Sequence, residues 1–190
     1  MNWEAVTAVA TAGTFFVIAA SAVAAMKQLS HVRAGNQSAQ AMAMMERWSS
    51  QDYRSLVRYI NTELDEKMQD PEFRAGLEQT PVDTIAHPEL MVCAYWEQIG
   101  SLIKLQAMSE DAFMDMGSYQ VLTMWNKLKG LIAIMRRRRG PSLYDNFEYL
   151  AARAQRWESL HADDSYPKGT PRMPIDDVWA SDSNAGAPAT

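Results

Sequence analysis

The feature that most constrains this chain is an uncharged stretch near its N-terminus, Ala5 to Met26, which reads AVTAVATAGTFFVIAASAVAAM. As an α-helix rising about 1.5 Å per residue, the stretch would extend roughly 33 Å, which exceeds the roughly 30 Å hydrocarbon core of a bilayer. A helix buried in a soluble domain would carry a polar face, whereas this one offers only scattered Thr, Ser and Gly. The stretch therefore predicts a single transmembrane helix, with residues 1–26 as the membrane anchor.

Small residues recur along the predicted membrane helix at four-residue spacing, as Ala8 with Ala12 and Ala20 with Ala24. Small side chains at this spacing let a second helix approach closely, and van der Waals contact drives the association of helices in lipid. The four alanines are therefore the candidate packing surface for a partner helix. The alternative is an anchor that stands alone, as many Ala-rich anchors do.

The charges that flank the stretch indicate its orientation. Glu4 precedes it without any Lys or Arg, whereas Lys27, His31 and Arg33 follow it. Because positive charge stays on the cytoplasmic side of a membrane, we expect the N-terminus outside and the rest of the chain in the cytoplasm. The small residues of Ala22-Val23-Ala24 fit a signal-peptide cleavage site, but no basic segment precedes the apolar stretch, so we expect an uncleaved signal anchor.

The balance of charges and the cysteine content narrow the class of protein. The chain has 18 Lys and Arg against 23 Asp and Glu, a net charge of −5. This acidic balance argues against a nucleic-acid-binding protein. A single cysteine, Cys93, excludes an intramolecular disulfide and suits a reducing cytoplasm. The 13 Met and six Trp would either fill the core of the domain or face a partner.

Beyond the anchor, the spacing of apolar residues predicts helices and no strands. Residues 27–48 continue the membrane helix as a stalk, or restart it after Gly35, and residues 49–161 form a helical domain. Its predicted helices begin at Ser49 or Ser50, Pro71, Glu89, Ser109, Ser118 after a break near Gly117, and Ser142. The expected fold class is all-α, with a single N-terminal transmembrane helix, a cytoplasmic helical bundle and an extended C-terminal tail.

Residues 162–190 form that tail, because their apolar pattern disappears and Pro, Gly, Ser, Asp and Ala dominate. Such a composition does not bury enough apolar surface to order itself in water. We expect the tail to be unstructured alone or to be held by a partner. Ile175, Val178 and Trp179 are the candidate anchors for that docking.

No group of residues in the sequence indicates an active site, and we predict neither a metal nor a cofactor. The three histidines are dispersed, and no Cys or carboxylate stands beside any two of them at metal-ligand spacing. We expect His87 to be a solvated loop residue, Cys93 to be a buried inert thiol, and Glu89 and Glu97 to be exposed helix acids. The phosphate-binding loop, dinucleotide-binding and nucleophile-elbow motifs do not occur.

Four consecutive arginines precede Gly140, namely Arg136, Arg137, Arg138 and Arg139. Cations complement the C-terminal end of a helix, but this role explains one or two of them. They could contact anionic lipid headgroups, where each cation contributes about 1 kcal/mol near the surface. They could instead contact an acidic partner, or pair with acids of the tail such as Asp163, Asp164, Asp176 and Asp177.

Three segments carry a family resemblance: CAYWEQIGSLIKLQAMSEDAFMDM, VLTMWNKLKGLIAIMRRRRG and NFEYLAARAQRW. Over residues 5–160 the chain resembles the bacterial domain-of-unknown-function family 4760, which comprises small membrane-anchored helical proteins. The markers are mostly packing residues, namely Tyr95, Trp96, Glu97, Ile99, Gly100, Trp125 and Arg136. The resemblance implies the helical fold and a bacterial inner membrane, and it carries over no activity.

These features favour a non-catalytic accessory or scaffold subunit of a larger integral-membrane complex, of respiratory, photosynthetic or transport function. Such a subunit would bind its partners through the transmembrane helix, the helical domain and the tail. One alternative is a membrane-surface module that binds anionic lipid through Arg136–Arg139. A second alternative is an enzyme whose reactive groups come together only in three dimensions.

Overall fold

A computed structural model describes residues 2–161, 166–167 and 169–180 of the chain. Within these ranges the secondary structure is helical and contains no β-strand, which confirms the all-α class. The chain divides into two units, Met1–Leu160 and His161–Thr190. The helices are α1 (Trp3–Ser49), α2 (Gln51–Thr62), α3 (Leu64–Lys67), α4 (Pro71–Gly76), α5 (Leu90–Lys104), α6 (Glu110–Arg139) and α7 (Asp145–Leu160).

Helix α1 runs without a break for 47 residues, which corresponds to about 70 Å. It passes through Gly35, so the stalk continues the N-terminal helix and does not restart after the glycine. All side chains described between residues 2 and 36 are exposed. The part Val6–Leu29 has a mean hydropathy of 1.9 with none of it buried, and is long and apolar enough to cross a membrane.

The last turns of α1 are built into the helical domain. The Gln37 side chain donates a hydrogen bond from Nε2 to the carbonyl of Gln106, at 3.2 Å. The Tyr95 hydroxyl donates to the carbonyl of Met44 at 3.1 Å, and Trp48 packs edge-on against Trp96 with ring centroids 5.8 Å apart. The exposed apolar helix and the domain therefore share one continuous backbone and a packed junction.

Helix α5 lies at the centre of the domain, as its apolar pattern predicts. Trp96 on this helix is fully buried and contacts aromatic rings from three other helices, namely Trp48 of α1, Phe113 of α6 and Phe147 of α7. The rest of its buried face comprises Leu90, Val92, Cys93, Tyr95, Ile99, Gly100 and Ile103. Ala94, on the same helix, is exposed.

Helix α6 is continuous where the sequence predicts two helices. Ser109 caps its start, accepting a hydrogen bond from the Ala112 N–H, but Gly117 and Ser118 lie inside the helix. A Cβ atom at Gly117 would lie 3.2 Å from the Trp48 ring, and the Ser118 hydroxyl donates to Glu158 at 2.5 Å. The predicted break was wrong because these two residues serve contacts with other helices.

Beyond His161, the described residues of the second unit, 166–167 and 169–180, are extended apart from short turns. The Arg172 guanidinium lies over the Tyr166 ring, 4.5 Å from its centroid. The predicted docking residues are strongly exposed, namely Ile175, Val178 and Trp179. Their docking to a partner stays a prediction, and Asp163 and Asp164 lie outside the described residues.

Candidate functional site

Two residues of the YWEQIG segment, Glu97 and Gly100, contact the start of α7 and hold it against α5; we call this contact the clasp. Glu97 is half-buried on α5, and its Oε2 accepts the backbone N–H of Phe147 at 2.8 Å. Its other oxygen accepts the Asn146 side-chain amide at 2.7 Å. A carboxylate at a helix N-terminus satisfies a backbone donor and complements the helix dipole. Glu97 is therefore a capping residue and not the exposed acid expected from the sequence.

Gly100 belongs to the same clasp because the backbones of α5 and α7 nearly touch there. A Cβ atom at this position would lie 2.1 Å from the backbone oxygen of Asn146, well inside the contact distance of any side chain. Only glycine allows this approach. The YWEQIG segment thus has a packing role: the contact with α7 requires a carboxylate at Glu97 and the absence of a side chain at Gly100.

Arg136 closes the connection between α6 and α7. Its Nε donates to the carbonyl of Leu143 at 2.9 Å, and its Nη2 donates to the carbonyl of Tyr144 at 3.4 Å. Its Nη1 pairs with Glu148 at 2.6 Å. Since Tyr144 has a positive φ of 56°, this turn is a strained backbone that the guanidinium holds in place. Arg136 therefore differs from the three arginines that follow it.

Arg137, Arg138 and Arg139 face the end of α4 and the residues that follow it. Arg137 Nη1 lies 3.2 Å from one oxygen of Glu78, and Arg138 Nε lies 3.6 Å from the other. Arg139 donates to the carbonyl of Gln79. The side chains of Arg137 and Arg138 are 67% and 70% exposed, so both guanidinium groups remain open to solvent.

Arg137 and Arg138 border a polar groove of about 670 Å³ between α4 and the end of α6. The tail acids that the sequence offered as partners include Asp176 and Asp177, which belong to the second unit. Within the first unit, the carboxylate that pairs with Arg137 and Arg138 is Glu78. The groove lining comprises Pro71, Arg74, Ala75, Glu78, Gln79, Thr80, Arg137 and Arg138.

A second polar group, centred on His87 and Glu89, is sealed inside the domain. His87 Nδ1 and Glu89 Oε1 are 3.0 Å apart, and the two side chains are 3% and 0% exposed. The expectation of a solvated His87 and an exposed Glu89 was therefore wrong. The imidazole packs on Phe73, with ring centroids 4.4 Å apart, and on Gly76, where an added Cβ would lie 2.6 Å from Nε2.

Two further groups border this buried pair and are held in their neutral forms. Burial, and then the charge of Glu89, raise the pKa of the Cys93 thiol, which is fully buried as expected. Burial and the Glu89 charge also raise the pKa of Tyr59. A thiol that is both neutral and inaccessible is not a nucleophile. His87, Glu89 and Cys93 in this cluster are each at most 3% exposed, and Tyr59 is half-buried.

Sequence reasoning missed this pair because His87 and Glu89 flank Pro88 in a segment that looks like a surface loop. The one available signal was position: Glu89 immediately precedes the most apolar helix of the domain, where a charged side chain needs a partner if it is covered. Among the described residues, no group of three or more His, Cys, Asp or Glu side chains could hold a metal ion.

An apolar groove of about 230 Å³ lies between the last turns of α1 and the start of α6. Four methionines contribute to it, together with Trp48 and Phe113. Met45 and Met116 are about half exposed, so part of the apolar lining faces solvent. The full lining is Gln37, Ala41, Met44, Met45, Trp48, Met108, Ser109, Ala112, Phe113 and Met116.

The four alanines proposed for helix packing are exposed on the N-terminal part of α1. At about 100° per residue, Ala8 and Ala12 lie about 40° apart around the helix, as do Ala20 and Ala24. The two pairs are separated from each other by about 120°. They therefore form two small-residue patches, and each patch could receive a different neighbouring helix.

One comparison with known proteins places the chain in a family. A family model described as Domain of unknown function (DUF4760) matches residues 15–157, which cover the C-terminal half of the apolar stretch, the stalk and nearly all of the helical domain. This match confirms the resemblance seen in the sequence. No match was found among curated proteins or among solved structures.

Proposed function

We propose, from the premise that this chain belongs to the DUF4760 family, that it is a non-catalytic accessory or scaffold subunit of a larger integral-membrane complex. The observation that carries the proposal is the contrast between the two ends of α1. Its N-terminal part is apolar and exposed on every side, whereas its C-terminal turns are packed into the domain. Such a helix joins a membrane-embedded contact to a folded domain.

The apolar part of α1 needs a non-aqueous environment. Phe15, Phe16, Val17 and Ile18 are each between 63% and 78% exposed. A contiguous apolar surface of this size is typical of a membrane or protein contact and is rare on a monomer in water. The length of Val6–Leu29 matches a bilayer, and its low charge permits insertion.

The charges around α1 support the proposed orientation, in which the N-terminus lies outside a bacterial inner membrane. Glu4 lies before the apolar part, and Lys27, His31 and Arg33 follow it. This distribution favours a domain in the cytoplasm. An Asn2→Cys variant tests the orientation: a membrane-impermeant maleimide should label it in intact cells, and the buried Cys93 should stay silent. Labelling that occurs only after lysis would show the opposite orientation, with the N-terminus in the cytoplasm.

The proposal of a non-catalytic role is supported by the burial of the reactive side chains. Three groups suited to acid–base or nucleophilic chemistry, His87, Glu89 and Cys93, are each at most 3% exposed. Catalytic groups must reach their substrate within hydrogen-bonding distance. The exposed features, by contrast, are an apolar helix, an apolar groove and a row of arginines, which are features of binding surfaces.

The junction gives the domain a fixed relation to any partner in the membrane. Because α1 is unbroken and is held at Met44 and Trp48, a helix that packs on its N-terminal part also sets the direction of the domain. The two alanine patches are the proposed contact within the bilayer. A partner helix would gain packing there without displacing large side chains.

The experiment is purification of the tagged full chain from native membranes in a mild detergent, followed by native electrophoresis and mass spectrometry. We expect a stoichiometric integral-membrane protein to copurify. The double variant Ala20→Leu/Ala24→Leu should lose this protein because the enlarged side chains separate the helices. The matched control Ala22→Leu/Ala25→Leu makes the same change on the opposite side of α1, about 120–180° from the centre of the Ala20/Ala24 patch, and should retain it. A clean monomer from the unaltered chain would overturn the proposal.

A further inference from the structure

We propose that Arg74, Arg137 and Arg138 form a binding site for a phosphate group, and that Glu78 occupies this site as an internal competitor. The site is the polar groove between α4 and the end of α6. This inference is independent of the function proposed above, because no residue of α1, and so neither alanine patch, lines the groove.

The groove concentrates positive charge in a chain whose net charge is −5. Arg137 and Arg138 share a single carboxylate, that of Glu78, so the pair retains one uncompensated charge. Arg74 adds another, because its Nη1 donates to two neutral acceptors, the carbonyls of Met68 and Gln69. The result is a local cation excess within an acidic protein.

The acids nearest to the groove do not remove this excess. Asp70 lies one turn before Arg74 on α4, and its carboxylate is engaged at the helix N-terminus, where it accepts the Glu72 N–H at 2.8 Å. Arg139 lies outside the lining and is bound to the neutral carbonyl of Gln79. Among the lining residues, Arg74, Arg137 and Arg138 stand against the single acid Glu78, so the lining has a net charge of +2.

Guanidinium groups in this arrangement suit a phosphate better than they suit one carboxylate. A phosphate monoester carries a charge of about −1.5 to −2 and three acceptor oxygens, so it can engage two planar guanidinium forks at once. The existing pairs with Glu78 are weak competitors because Arg137 and Arg138 are mostly exposed to water. The contacts to backbone carbonyls hold Arg74 and Arg139 in place beside the groove, so the site is partly preorganised.

The phosphate could belong to a lipid headgroup or to a soluble molecule, and the position of the groove relative to the bilayer decides between the two. Helix α1 meets α6 at Gly117, and Arg137 follows about 30 Å further along the helix. Trp48, which contacts Gly117, lies about 28 Å along α1 beyond the apolar part that ends at Leu29. A lipid headgroup can therefore reach the arginines only if α6 runs back toward the bilayer. If α6 points away from the bilayer, the ligand is a soluble phosphorylated small molecule. Both sources present the same chemistry to the guanidinium groups.

The test uses the full chain in a neutral detergent with two probes. Calorimetry with pyrophosphate measures the soluble source, and native mass spectrometry with phosphatidic acid against phosphatidylcholine measures the lipid source. We expect at least one probe to bind the unaltered chain. Preference for phosphatidic acid without pyrophosphate binding assigns the site to lipid, and pyrophosphate binding without that preference assigns it to a soluble ligand. Absence of both overturns the proposal.

Three variants distinguish a phosphate site from a structural ion pair. Arg137→Gln/Arg138→Gln should weaken binding at least tenfold, whereas the matched control Arg54→Gln/Arg58→Gln removes equal charge from exposed positions of α2 and should leave it unchanged. Glu78→Gln should strengthen binding severalfold because it removes the competitor. If Glu78→Gln weakens binding, or the control weakens it equally, the arginines serve only the α4 contact or the general surface charge, and the proposal fails.

Discussion

Replacement of Gly100 by Ala should strongly destabilise the domain, although the same change usually stabilises a helix. The new Cβ would lie 2.1 Å from the Asn146 oxygen, whereas ordinary contacts begin at 3.4 Å, so α5 and α7 must separate by roughly 1.3 Å. The movement would also strain the Glu97 hydrogen bonds to Asn146 and Phe147. Overpacking costs typically 1–3 kcal/mol, and this rigid backbone contact should cost about 3 kcal/mol.

The assay is thermal unfolding of the full chain in a neutral detergent, followed by tryptophan fluorescence. For a chain of this size, a loss of about 3 kcal/mol lowers the midpoint by roughly 6–12 °C. Trp96 is a suitable reporter because it is fully buried and stacks on Phe147, at the contact that must open. Trp125 packs edge-on against the same Phe147 ring, 5.1 Å away, and gives a second signal.

Gly130→Ala is the matched control because Gly130 lies inside α6 with no atom within 4 Å of an added Cβ. There the substitution removes only the flexibility of glycine and should raise stability by about 0.5–1 kcal/mol. The two alanine variants should thus have opposite signs. If Gly100→Ala were neutral or stabilising like Gly130→Ala, the close approach of α5 and α7 would be incorrect.

Three further outcomes follow from the same domain. Glu97→Gln should lower stability by about 1.5–3 kcal/mol in the same assay, because it removes a charge-assisted cap and places a second amide against Asn146. The thiol of Cys93 should resist Ellman's reagent in the folded chain and react fully in guanidinium chloride; fast native reaction would contradict its burial. Burial raises the pKa of Tyr95 and of Tyr144 to about 12, above an unfolded value of about 10. The stability they confer is therefore complete below pH 10 and is lost between about pH 10 and 12, which urea midpoints across that range would measure.

Local signals in the sequence predicted most helix boundaries because capping chemistry acts within a few residues. Ser50, Asp70 and Ser109 are helix caps whose side chains accept a backbone N–H two or three residues later. Gly117 and Ser118 carry the same type of signal but lie inside α6. Their contacts, with Trp48 and Glu158, come from residues at least 40 positions away, and no local pattern contains that information.

The errors at the polar residues have the same origin. The sequence shows that His87 and Glu89 are polar, but it does not show that α4 packs on the His87 imidazole through Phe73 and Gly76, or that Glu89 is buried beside it. Four adjacent arginines likewise look equivalent along the chain. Their roles divide only because the α6–α7 turn binds Arg136 and α4 faces Arg137–Arg139.

The two proposed binding surfaces lie on different helices, the alanine patches on the N-terminal part of α1 and the arginine groove at the end of α6, and this makes each a control for the other. The α1 contact at Gly117 and the arginine groove are about 30 Å apart along α6, well beyond the 7–10 Å within which substitutions usually couple. Arg137→Gln/Arg138→Gln should therefore leave the copurifying membrane protein bound, and Ala20→Leu/Ala24→Leu should leave phosphate binding intact. If either variant abolished both activities, the cause would be an unfolded domain, because no single surface contributes to the two contacts.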